Sequence, residues 1–180
     1  MVLAPSLLMH AGESATAGEC GRLELRKALG RFATGVTVIT TCDAGGKPEG
    51  LTANSFSSLS LDPPLVLWSL QGAARSLPAF RTAEYFVVNV LASAQQPLSE
   101  HFDQSRKDKF DGVDFDAGVG GCPVLPGSLA VIECRTERQL DAGDHVLFVG
   151  EVLQFSQRAG KPLVFSGGEY HQLASLRAAG

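Results

Sequence analysis

The stretch GLTANSFSSLSLDPPLVLW (residues 50–68) crowds hydroxyl side chains and an asparagine amide between two apolar runs. A half-buried strand alternates polar and apolar residues with a period of two. Here Thr52, Asn54 and Ser58 fall on one face while Ser55 and Ser57 fall on the other, so the alternation that separates core from solvent is blurred. The pattern predicts a polar neighbour beside this strand. The LDPP segment closes it, because neither Pro63 nor Pro64 can donate to a ladder, and a further strand, LVLWSL, follows.

Working toward the N-terminus, VTVITTCDAGGKPEG reads as a hairpin leading into the polar stretch. Residues 36–42 are mostly β-branched, and DAGG supplies turn positions. Before it, Leu25, Ala28, Leu29 and Phe32 recur at helical spacing and predict an amphipathic opening helix that ends by Gly35. Toward the C-terminus, Pro78 in AARSLPAFRT marks the first turn of a short helix. EYFVVNVLA follows as a strand, then a polar helical segment near residues 95–102 and a long loop rich in Asp, Gly and Pro. A loop of that length is often functional. SLAVIECRTERQL, GDHVLFVGEVLQFSQ and KPLVFSG complete the strands. The connections are mostly too short for parallel crossovers, so the sheet is predicted to be antiparallel. A closed or partly closed barrel with two or three flanking helices removes the exposed edges.

The 180 residues are 44% hydrophobic, enough for one domain with a sizeable core. We expect a loose tail over residues 1–21 and a single domain over residues 22–175. Fifteen basic and nineteen acidic residues leave a net charge of −4, which argues against nucleic acid as a partner. No apolar run reaches the roughly 18–20 residues that span a bilayer. The first residues lack a basic n-region, and Pro5 interrupts their apolar piece, so no secretory leader is expected. Cys20, Cys42, Cys122 and Cys134 have no metal-binding spacing and read as free thiols in a reducing cytoplasm. Dinucleotide, P-loop and nucleophile-elbow motifs are all missing. Asp111, Asp114 and Asp116 lack the spacing of a calcium loop.

What remains is the polar stretch, with Arg75, Ser76 and Lys109 as candidate helpers. Hydroxyls, an amide and a cation together suit the phosphate and heterocycle edge of a mononucleotide. The residues alone leave a second reading open, an edge strand whose hydroxyls meet water and two solvated surface charges.

The ordered segments ATGVTVIT, GLTANSFSSLSLDPPLVLWSL, FVVNVLASAQQPLSEHF, DKF, GDHVLFVGEV and PLVFSGGEYHQL are similar to those of the flavin reductase family, in register over residues 25–173. This family has the FMN-binding split-barrel fold and includes reductase components of two-component flavin-dependent monooxygenases. The resemblance implies a mainly β protein, an antiparallel six-stranded split β-barrel with flanking α-helices that forms a homodimer. It implies NADH or NADPH as reductant, FMN or FAD as flavin, and delivery of reduced flavin to a partner monooxygenase.

By the same resemblance, Thr52, Ala53, Asn54 and Ser55 line the isoalloxazine edge. Ser57, Ser58, Arg75, Ser76 and Lys109 serve the ribityl phosphate. Ser69 and Leu70 offer backbone groups, and Val36 and Thr37 approach the ring from the first strand. His145, in GDH, faces the nicotinamide in a positioning role, and Tyr170 and His171 close the pocket. Without the resemblance, a histidine beginning a strand reads as a half-buried packing residue. Two other readings are carried forward: a tight flavin carrier without efficient NAD(P)H oxidation, and a ligand-binding barrel without a redox cofactor.

Overall fold

The computed structural model describes residues 21–174. The expected tail, Gly21 excepted, and Cys20 lie outside the described residues. In chain order the elements are α1 (Arg22–Leu29), β1 (Thr34–Gly35), β2 (Thr37–Cys42), β3 (Pro48–Ala53), β4 (Ser57–Leu61), β5 (Pro64–Gln71) and α2 (Leu77–Thr82). There follow β6 (Tyr85–Val90), α3 (Gln96–Asp103), β7 (Asp116–Ala117), β8 (Pro123–Val124), β9 (Ala130–Ala142), β10 (His145–Gln157), β11 (Leu163–Ser166) and β12 (Glu169–Gln172). Among the described residues no helix is long and apolar enough to cross a membrane.

The principal sheet runs β3-β2-β6-β9-β10-β5-β4, and every neighbouring pair is antiparallel. Its two outer strands are β3 and β4, yet only residues 54–56 separate them in the chain. At about 3.3–3.6 Å per residue, so short a link cannot cross a flat seven-stranded sheet. The sheet must therefore curl until its edges meet, which makes the barrel, and the polar stretch is the seam. The sheet counts seven strands where six were expected, because residues 54–56 divide that stretch into β3 and β4.

The expected hairpin is β2–β3, in which Asp43 Oδ1 accepts from the backbone N–H of Gly45 and of Lys47, each at 2.9 Å. The β9–β10 hairpin shifts register between Val149 and Gly150 and again between Val152 and Gln154, and these irregularities bend its two long strands. Gly150 is required there: a Cβ would stand 2.3 Å from Phe86 Cζ.

Inside the barrel Trp68, Phe80, Phe86 and Phe148 form one aromatic cluster. Val36, Val38, Leu91, Phe102, Phe110, Leu125 and Leu163 form a second core, to which α3 contributes Phe102. Asn89, the polar residue within YFVVNV, is fully buried and satisfied. Its amide donates to Val38 O and Thr40 Oγ1, each at 3.2 Å, and its Oδ1 accepts from Leu125 N at 2.8 Å. This ties the long loop to the sheet.

The opening helix forms as predicted, but its apolar face covers nothing. Leu23 and Leu29 are 64% and 66% exposed, and Phe32 just beyond the helix is 79% exposed. Among the described residues the chain offers no surface for this face to pack against.

Candidate active site

The seam opens into a cleft of about 330 Å³ between β3, the end of β5, the start of α2 and the end of α3. That volume lies at the small end of the range of roughly 300–1,000 Å³ for ligand pockets. Ten of the sixteen candidate residues line it: Thr52, Ala53, Asn54, Ser55, Ser69, Leu70, Arg75, Ser76, Lys109 and His145. Glu49, Leu51, Gln71, Phe102, Asp103 and Arg106 line it too. Of these, Glu49 and Leu51 were legible as the same-face neighbours of Ala53 on a strand.

The hydroxyls of the polar stretch divide by task. Thr52 Oγ1 donates to Ser99 O at 2.6 Å and fastens α3 to β3. Ser55 Oγ donates to Ser69 O and accepts from Ser69 N, both at 3.0 Å. It extends the ladder of β5 at the point where β4 has ended, and so closes the seam. Ser55→Ala leaves the Ser69 N–H without that partner, and we expect a loss of about 1–3 kcal/mol in stability. Urea unfolding measures it, and an unchanged midpoint would remove the seam role from Ser55.

Asn54 stands apart. It is exposed in the cleft, and among the described residues its side chain makes no hydrogen bond. The polar stretch therefore holds both Ser55, which closes the seam, and an amide that has no partner among the described residues.

Arg75, Arg106 and Lys109 are the cations of the cleft, facing Glu49 and Asp103. Lys109 Nζ donates to Phe102 O at 2.7 Å, and Lys109 O meets His101 Nε2 at 2.7 Å. Burial lowers the Lys109 pKa, and the charges of Glu49 and Asp103 oppose that shift. Burial raises the Glu49 pKa, and Lys47 and Lys109 oppose it. Arg106 Nε donates to Gln104 Oε1 at 2.8 Å. Arg75 alone of the three makes no hydrogen bond or ion pair among the described residues, and the Ser76 hydroxyl beside it also makes no hydrogen bond there. Both side chains are open to an anion.

His145 begins β10, opposite Gln71 at the end of β5. Its Nδ1 lies 2.7 Å from Asp144 Oδ1.

Six candidates lie outside the cleft lining. Val36 packs in the second core, and the Thr37 hydroxyl is buried on Ala53 O at 2.7 Å. Ser57 and Ser58 pass beyond the seam onto the exposed outer strand β4. Tyr170 packs on Phe165, and its hydroxyl meets Ser99 Oγ at 2.9 Å. His171, its neighbour, is bonded to Ser166 O instead.

The residues fit a flavin nucleotide: an amide without a partner for the ring edge, and an arginine with a neighbouring hydroxyl for the phosphate. Comparison with known proteins bears on that fit. A model described as the flavin reductase like domain matches residues 29–174. FMN reductase (NADH) SmoA of Agrobacterium fabrum is 48% identical over 85% of this chain and 86% of its own length. The reductase subunit HsaB of a flavin-dependent monooxygenase from Rhodococcus jostii is 43% identical over 88% of this chain and 82% of its own. Some relatives are longer, and the chain spans 47% of one of them. The solved structure of the Streptomyces globisporus NADH:FAD oxidoreductase SgcE6, in complex with NAD and FAD fragments, has a TM-score of 0.85 at 36% identity. It covers 93% of this chain and all of that one. With the curled antiparallel sheet and the cleft at its seam, this match over most of the chain places the protein in the flavin reductase family.

Proposed function

We infer that the protein is a flavin reductase that takes a hydride from reduced nicotinamide dinucleotide, passes it to FMN or FAD and supplies the reduced flavin to a flavin-dependent monooxygenase. The observation that carries this reading is the set of unengaged polar side chains, Asn54, Arg75 and Ser76, gathered in one cleft with His145 at its edge. The bound flavin supplies the two-electron chemistry. The chain holds and orients: Asn54 and the backbone of residues 52–55 meet the ring edge, and Arg75 with Ser76 holds the phosphate. Lys109 tunes the field from the loop that follows α3, and His145 positions the nicotinamide. NADH is the reductant we assign, since NADH stands in the names of the relatives FMN reductase (NADH) SmoA and SgcE6. Free thiols at Cys42, Cys122 and Cys134 accord with a cytoplasmic setting.

The phosphate assignment is testable with two flavins that share a ring. FMN carries the phosphate and riboflavin lacks it, so wild type should bind FMN more tightly. Arg75→Ala should weaken FMN binding by about tenfold to a hundredfold and leave riboflavin nearly unchanged, since hydrogen bonds to charged groups contribute about 1.5–3 kcal/mol. Titration by flavin fluorescence reads both. Equal weakening of the two flavins would place Arg75 elsewhere.

We also propose that the protein is a homodimer in which the apolar face of α1 and Phe32 are covered. Their exposure in the single chain supports it, because contiguous apolar surface of this kind marks an interface. Phe32→Asp should shift the sedimentation coefficient from dimer toward monomer. A dimer undisturbed by that change would move the interface to another surface.

A further inference from the structure

Asp144 is not among the residues that line the cleft, yet it makes the one hydrogen bond of the His145 side chain among the described residues. Gly143 and Asp144 form the two-residue turn between β9 and β10, with Gly143 at φ 61°. The turn is pinned to the end of β5, where Gly72 N–H donates to Asp144 O at 2.8 Å. The Asp144 carboxylate therefore sits at a fixed place behind the imidazole, with Oδ1 2.7 Å from Nδ1.

From this geometry we propose that Asp144 is a positioning residue, which locks neutral His145 in its Nδ1–H tautomer and so presents Nε2 to the cleft as a hydrogen-bond acceptor for the primary amide of the nicotinamide. The proposal rests on the placement of nicotinamide against His145 given above. An ionised carboxylate can only accept, so Nδ1 must carry the proton that lies between them. In a neutral imidazole the other nitrogen then has a free lone pair. A nicotinamide carboxamide offers an NH₂ donor to that lone pair. The opposite tautomer would set one N–H against another, and recognition through Nε2 would be lost. Asp144 thus acts through His145 without touching the reacting atoms.

The test combines a spectrum with a pair of substrates, on the full-length, flavin-loaded protein. Nitrogen-15 NMR at alkaline pH separates the two tautomers of a neutral histidine. The chain has four histidines, and the signal lost in His145→Gln assigns the one in question. Wild type should show protonated Nδ1 and unprotonated Nε2. In Asp144→Asn the side-chain amide can turn its NH₂ toward Nδ1, which switches His145 to the Nε2–H form. The second readout compares NADH with its 3-acetylpyridine analogue, in which a methyl group replaces the NH₂. Asp144→Asn should raise KM for NADH about tenfold and leave KM for the analogue unchanged, the size expected for one hydrogen bond with an amide donor. An Nε2–H signal in wild type would overturn the proposal. So would an equal rise for both dinucleotides, which is what a merely structural role for Asp144 produces. His145→Ala with unchanged KM for NADH would remove the nicotinamide placement itself, while the NMR signal would still decide the tautomer.

Discussion

Replacing His145 by alanine is expected to lower kcat/KM for NADH by roughly a hundredfold while flavin affinity changes by less than about twofold. The asymmetry follows from where the residue stands. His145 enters the cleft from β10 across from Gln71, whereas Asn54, Arg75 and Ser76 reach it from the β3–β4 link and from the start of α2. On the proposed placement, removing the imidazole would spare the flavin contacts and take away the group assigned to align the nicotinamide. Misplacement by about 1 Å is enough for a loss of that size, because hydride transfer depends on the approach of the donor carbon. Stopped-flow reduction of bound flavin separates the two effects. Parallel loss of flavin binding would mean that His145 supports the flavin instead.

Trp68→Ala is expected to have the largest effect on stability, about 3–5 kcal/mol. Trp68 is fully buried and stands opposite Phe148 in the β5–β10 ladder, with their rings stacked at 4.6 Å and 11°. Phe80 and Phe86 meet it edge-on at 5.0 and 5.8 Å. The void is too large for one neighbour to fill, and Phe80 and Phe148 already meet edge-on beside it. For a chain of this length the melting temperature should fall by roughly 6–20 °C. Trp68→Phe is the informative control. Among the described residues the buried indole N–H has no partner, so the smaller ring removes an unsatisfied donor while it opens a cavity, and the two effects oppose each other. Thermal unfolding of both variants should show a large loss for alanine and a small one for phenylalanine. A large loss in both would locate the stabilisation in the full volume of the indole.

The strands were legible because β-branched runs bounded by Gly, Pro and Asp leave few other readings. The hairpin at DAGG, the break at LDPP and the helix at Pro78 all lie where those local signals put them. The seam was visible only as an anomaly, a strand whose hydroxyls refuse to alternate. Its explanation needs a tertiary fact, that β3 and β4 are opposite edges of one curled sheet. The bond between Ser55 and Ser69 depends on that closure, and no sequence period encodes it. Likewise Asp103 and Arg106 reach the cleft by the packing of α3 and its following loop against β3. The amphipathic pattern of α1 correctly announced a helix, but periodicity cannot say whether an apolar face meets its own chain or another. Val36, Thr37, Ser57, Ser58 and Tyr170 entered through family resemblance, and the single chain uses them for core, ladder, outer strand and support of α3.

The most direct measurement is oxidation of NADH by the purified protein without flavin, with FMN and with FAD, followed by the absorbance of the reduced nicotinamide. We predict turnover that depends on added flavin and exceeds the uncatalysed reaction of the same flavin with NADH. Flavin binding without such turnover would contradict the reductase assignment and leave a flavin carrier. Neither binding nor turnover would leave the Asn54 cleft to a ligand of another kind.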